Sequence, residues 1–196
     1  VWELRLPRAL LAAVCGAGLA LCGAIMQSLL RNPLASPDIV GVTAGASWAV
    51  VVALIGGGAV GGGLLTGAGS VAAACLGAAG AAAAVIALAW RHGLPARRVV
   101  LVGLGVNAGL GAATSWTLLR ADLPDLGVAL RWLTGSLNEV DADLLPLVGS
   151  VVAVVLVLLA LGTRTLEVLR MDDSSATALG VRVPRAQVLL LCLAVV

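Results

Sequence analysis

The sequence predicts an all-α fold, a polytopic transmembrane helical bundle, and three observations predict it. Apolar residues make up 61% of the 196 residues and charged residues 11%, with a mean hydropathy of +1.10. An ordinary soluble domain is about half apolar and about a quarter charged. The apolar residues fall into six runs, at about 8–30, 39–56, 67–90, 99–119, 144–162 and from 185 onward, and a helix needs about 20 of them to cross a bilayer core. None alternates apolar with polar residues over about ten positions, as a transmembrane β-strand does.

The first run is introduced by Arg5-Leu6-Pro7-Arg8 and, between Ala9 and Leu30, is polar only at Gln27 and Ser28. It is too long for the core of a signal peptide, and no small-residue cleavage site leading into a soluble domain follows. It ends in the dense turn Arg31-Asn32-Pro33-Leu34-Ala35-Ser36-Pro37-Asp38. Two prolines there break the helix, and Asn32 and Asp38 suit turn and capping roles. The second run carries Gly41-x-x-x-Gly45 and the fourth Gly105-x-x-x-Gly109, small residues one turn apart that let a neighbouring backbone approach closely. Gly56 to Gly63 is a flexible glycine-rich connector.

On the fourth run Gly103, Asn107, Leu110 and Thr114 recur at helical spacing, with Ser115 beside them. Polar side chains at that depth face either another helix or a water-filled path. The stretch Arg120 to Asp143 holds Leu126, Val128, Leu130, Trp132 and Leu133, enough for a short amphipathic segment along the membrane surface. In Thr163 to Pro184, Asp172, Asp173, Ser174 and Ser175 can cap a short helix, Ala176 to Leu179, ended by Gly180. Leu179 and Val181 would then stand in water unless a soluble partner covers them. The final residues, Val188 to Val196, are still apolar and the first is Val1 rather than Met, so the chain reads as an internal fragment of a longer membrane protein.

The chain has no lysine, and its twelve Lys/Arg positions are all arginines. Arg31, Arg91, Arg97, Arg98, Arg164, Arg170, Arg182 and Arg185 fall on one side of the predicted membrane, and Arg5, Arg8, Arg120 and Arg131 on the other. The positive-inside rule puts the richer side in the cytoplasm. Trp2, Trp90, Trp116 and Trp132 lie near span ends, whereas Trp48 is expected between helices. Cys15, Cys22, Cys75 and Cys192 sit inside apolar runs, neither as CxxC nor near histidine, and read as small packing residues. His92, beside Arg91, reads as a solvated loop residue. No Asp, Glu or Lys lies inside a span, which weighs against proton- or sodium-coupled transport, and no GxxxxGK[ST] phosphate loop is present. No catalytic residue, metal ligand, cofactor or nucleic-acid partner is expected.

The chain resembles the permease subunit of type II ABC importers, the family that imports iron–siderophore complexes, vitamin B12 and haem. The resemblance is carried by RLPR (Arg5 to Arg8), by QSLLRNPLASPDIVGVTAGA (Gln27 to Ala46), by LVGLGVNAGLGAATS (Leu101 to Ser115), by RWLTGSLNEVDADLL (Arg131 to Leu145) and by ATALGVRVPR (Ala176 to Arg185). It implies one permease domain over 1–196, about six of the roughly ten spans of such a chain, with the first span and the C-terminal spans missing. It also implies a second permease subunit, a cytoplasmic ABC ATPase that alone hydrolyses ATP, and an extracytoplasmic substrate-binding protein, all at the cytoplasmic membrane.

By the same resemblance, Arg5 and Arg8 meet carboxylates of the binding protein. Asp172, Asp173, Ala176, Leu179, Gly180 and Val181 belong to the coupling helices that seat in the ATPase. Asn107, Thr114 and Ser115 line the translocation path, and Leu94-Pro95-Ala96 occupies the place of the cytoplasmic gate. The coupling loop departs from the usual Leu-Gly-Glu-x-x-Ala-Arg-x-Leu-Gly: Met171 to Gly180 lacks its first glycine and its arginine but keeps the Leu-Gly ending. The expected function is a permease for ferric siderophores, with vitamin B12 or haem as alternative cargo. An ATP-independent secondary transporter or channel, or a membrane scaffold that moves nothing, are the alternatives of a different class.

Overall fold

The structure, a computed structural model, describes residues 2–56, 68–91, 93–136, 144–171 and 173–195, and among these all regular structure is helical. The chain divides into two compact units, residues 1–35 with 136–194, and residues 36–135.

The first unit is built on α1 (Trp2–Leu30), with α6 (Leu144–Leu161), α7 (Thr163–Arg170), α8 (Asp173–Ala178) and α9 (Val183–Val195). Helix α1 is mostly Leu, Ala, Gly and Cys, residues that leave its backbone unobstructed; Pro7 removes one rung near its start. Its buried side chains are Leu11, Ile25, Met26, Leu29 and Leu30, and it packs against α6 and α7. Gly18 gives α6 room, since a Cβ there would lie 3.3 Å from Val152 Cγ2. The helix ends where Asn32 N–H reaches back to the Gln27 carbonyl at 3.1 Å. Arg31 takes the left-handed turn at φ 49°, alone among the described non-glycine residues, a conformation that costs about 1 kcal/mol. Asn32 then holds the turn, its Oδ1 accepting the Leu34 N–H at 3.0 Å.

The second unit contains a 3-10 turn at Pro37–Val40, then α2 (Val42–Gly56), α3 (Ala68–Ala89), α4 (Ala96–Leu118) and α5 (Leu123–Thr134). Helix α2 packs most extensively on α3 and also on α4 and α5. Fully buried valines, Val40, Val50, Val51, Val85 and Val99, fill its core. Close approach is made by glycines: a Cβ on Gly45 would overlap the Gly77 carbonyl oxygen, and one on Gly103 would overlap the Ile39 carbonyl oxygen. Of the Gly41-x-x-x-Gly45 motif, Gly45 packs against α3, while Gly41 lies outside α2 and against α4 instead. Among the described residues nothing lies within 4 Å of a Cβ at Gly105 or Gly109; on α4 it is Gly103 that makes the close contact.

Three helical stretches, Arg5–Leu30, Gly69–Ala89 and Ala96–Leu118, are long and apolar enough to cross a membrane; Val42–Gly56, Val148–Leu161 and Val183–Val195 are shorter apolar helices. The second run does not become α-helical at Ile39, because Pro37 opens a 3-10 turn and Gly41, at φ 78°, breaks it from α2. The amphipathic segment after Arg120 is α5. The stretch before Asp172 forms α7, and α8 begins at Asp173, three residues earlier than the capping pattern predicts. The glycine-rich connector from residue 57 on, and His92, lie outside the described residues.

Trp90 follows the end of α3, and Trp116 sits in the last turn of α4 with the Arg120 guanidinium 3.8 Å from its ring centroid. Trp48 is 37% exposed, lining a groove of about 440 Å³ beside Gly45, Gly77 and Leu110 rather than being enclosed between helices. The four cysteines are free thiols.

Candidate functional site

In the first unit, α1 joins two sets of candidate residues. Arg5 is exposed and Arg8 half-buried near its N-terminal end. From Arg5 to Leu30 the helix runs about 38 Å at 1.5 Å per residue. At its other end lies the segment α7–α8. Leu169, on the last turn of α7, buries its side chain to 3% exposure, and its carbonyl accepts the Arg31 Nε–H at 2.8 Å. Arg31, Gln27, Asn32, Pro33 and Arg170 surround a small polar pocket there of about 220 Å³.

Helix α8 closes with two backbone bonds. The Gly180 N–H reaches the Thr177 carbonyl at 2.9 Å and the Val181 N–H reaches the Ala176 carbonyl at 3.1 Å. That pair defines a Schellman cap, in which the residue at Gly180 must be left-handed, and its φ is +85°. Ala176 is fully buried, which anchors the helix, while Leu179 stands 62% exposed and Val181 is half-buried. Asp173 opens α8; Asp172 lies outside the described residues. Beside the cap is a groove of about 770 Å³ with leucine walls, Leu158, Leu166 and Leu189 among them, and Arg182 and Arg185 in its lining.

In the second unit, Asn107 on α4 donates from Nδ2 to the Asp38 carbonyl at 3.1 Å, and the same oxygen accepts the Gly41 N–H at 3.0 Å. Gly41 lies against the α4 backbone, where a Cβ would come within 3.2 Å of the Asn107 nitrogen. Asp38 is not a helix N-cap: its Oδ1 accepts the Thr43 hydroxyl at 2.5 Å. Thr114 is 9% exposed and donates to the Leu110 carbonyl at 2.9 Å, and Ser115, exposed, donates to the Gly111 carbonyl at 3.1 Å. Both hydroxyls are thus satisfied within their own helix.

Leu94 is buried and Pro95 precedes α4, its carbonyl accepting the N–H groups of Arg98 and Val99 at 2.9 and 3.1 Å. Ala96 and Ser115 are separated by about 28 Å of helix. The candidate residues of this unit therefore lie along α4, the Leu94–Ala96 turn at its start and Asn107, Thr114 and Ser115 further on. Sequence reasoning alone does not single out Arg31, and it places Gly103 on the Asn107 face without revealing its contact with the Ile39 backbone. For Arg31 the available signal is an arginine directly after a span and before Asn-Pro.

Against known proteins, the FecCD transport family matches residues 1–196. The ferric enterobactin transport system permease protein FepG of Escherichia coli is 39% identical over 196 residues, covering 100% of this chain and 58% of its own length. The achromobactin transport system permease protein CbrC of Dickeya dadantii is 43% identical over 195 residues, covering 100% and 55% respectively. A metal-chelate type ABC transporter solved in an inward-facing conformation has a TM-score of 0.86 at 27% identity, across 100% of this chain and 61% of that one. The chain thus spans less than two thirds of the length of each of these proteins.

Proposed function

The chain belongs to the FecCD transport family, and from that membership we propose that it is the permease portion of an ATP-binding-cassette importer of ferric siderophores, read as one domain over 1–196. The observation that carries the reading is the match of the whole chain to relatives whose names are transport permeases, one of them for ferric enterobactin. A multi-pass membrane protein of this family works in the cytoplasmic membrane, with a second permease subunit beside it. A separate ATPase beneath it hydrolyses ATP, and a binding protein outside delivers cargo.

The residues fit those roles. Arg5 and Arg8 offer charge-assisted contacts that guide and register the binding protein. Leu179, exposed beside the Gly180 cap, and the half-buried Val181 offer the ATPase an apolar foothold. Asp172 and Asp173 offer it charge at the other end of α8, and Ala176 anchors the helix that presents them. Asn107, Thr114 and Ser115 belong to the path on α4, and Leu94, Pro95 and Ala96 to a gate at its start. Vitamin B12 or haem is the alternative cargo.

The test is uptake into proteoliposomes holding the full-length permease, its ATPase and its binding protein, with labelled ferric siderophore, haem and cobalamin offered separately. ATP-dependent uptake of the siderophore alone supports the proposal. Uptake of haem or cobalamin instead reassigns the cargo, and uptake without ATP overturns the class.

A further inference from the structure

We propose that Arg31 is a positioning residue that fixes the α7–α8 segment to the end of α1, so that a displacement of α8 is passed to α1. The inference rests on the reading of α8 as the ATPase contact. Helices of eight and six residues do not hold themselves in place, because isolated helices shorter than about 12 residues are marginal. Their positions depend on what ties them to a longer element. Among the described residues, the ties from α7 to α1 and its turn include the buried Leu169 side chain and the Arg31 bond to the Leu169 carbonyl.

That carbonyl lies in the last turn of α7, where no intrahelical N–H is available to it. It also sits at the negative end of the helix dipole, where a guanidinium is the favoured donor. The left-handed backbone at Arg31 starts the turn that leads the chain away from α1. One residue therefore ends the long helix and also grips the short one. A local cap would need only a bond within its own turn, whereas this bond reaches 138 residues along the chain.

The first experiment needs no partner protein. In full-length permease with the native cysteines replaced by alanine, spin labels go at exposed Leu34→Cys and exposed Ala178→Cys. The distance distribution should be narrow with Arg31 and broad in Arg31→Gln. Arg31→Lys, which keeps a donor on a flexible stem, should fall between them.

The second experiment uses the unlabelled complex in proteoliposomes. Arg31→Gln should retain the ATPase and its basal hydrolysis while cargo moved per ATP falls about tenfold. A narrow distribution in Arg31→Gln overturns the proposal, and so does a broad one with transport per ATP unchanged. If the unaltered complex captures no ATPase, the functional reading fails, while the label distances still decide whether Arg31 holds the segment.

Discussion

Gly45 and Gly77 face each other across α2 and α3 so closely that a Cβ on either would overlap the other's carbonyl oxygen. No side-chain rearrangement relieves such an overlap, because the obstacle is backbone. Gly45→Ala should therefore destabilise the protein by about 1–3 kcal/mol. Gly80→Ala, three residues beyond Gly77 and with no described residue within 4 Å of its Cβ position, is the matched control. Thermal unfolding in detergent compares them, and equal melting temperatures would show that the helices part without loss.

Asn107 and Thr114 share a helix face but differ in what their polar atoms hold. Asn107 bonds the Asp38 carbonyl in a different element, while Thr114 bonds its own helix. Asn107→Ala should cost about 0.6 kcal/mol, the average for an interhelical bond of this kind in a membrane protein. Thr114→Val, which keeps the shape and removes a locally satisfied hydroxyl, should cost less. Chemical denaturation of the two variants side by side checks the order.

Leu179 stands exposed on the capped turn that ends α8. Leu179→Asp should leave stability within about 0.5 kcal/mol, as substitutions at exposed positions do, while lowering cargo moved per ATP. Hydrolysis and uptake are measured in the same vesicles. Normal uptake per ATP would return this turn to a solvated surface.

Arg5→Glu with Arg8→Glu should slow association of the binding protein by about tenfold at low ionic strength. The difference should shrink as salt is raised, since exposed charges are screened beyond about 8 Å at physiological ionic strength. Surface-plasmon association rates at two salt concentrations measure it. Unchanged rates at low salt would remove these arginines from docking.

Much of this architecture is legible in the residues because apolar length and punctuation are local properties. Pro33, Pro37 and Gly180 stop or cap helices through their own backbone chemistry, and the amphipathic pattern after Arg120 foretells α5. What is not legible depends on which elements meet. Gly103 and Gly105 look alike in sequence, and only the approach of the Ile39 backbone distinguishes them. The partner of Asn107 is a main-chain oxygen, which no pattern of side chains announces. Helix α7 is short and charged at Arg164, Glu167 and Arg170, so it resembles a loop until packing on α1 supplies its reason to be helical. The repetition of Arg-x-Pro-Arg-Ala at residues 5–9 and 182–186, each near the head of an apolar helix, is visible only when distant segments are compared.

Helix α3 is made mostly of alanine and glycine, with Val71, Leu76, Val85, Ile86 and Leu88 as its larger apolar side chains. Ridges of such low relief give a neighbour little to catch on, so lengthwise sliding of this rod meets resistance chiefly where the two facing glycines notch together. Filling or widening that notch would alter how readily the rod slips along its axis, a mechanical compliance set by two hydrogen atoms in place of two methyl groups.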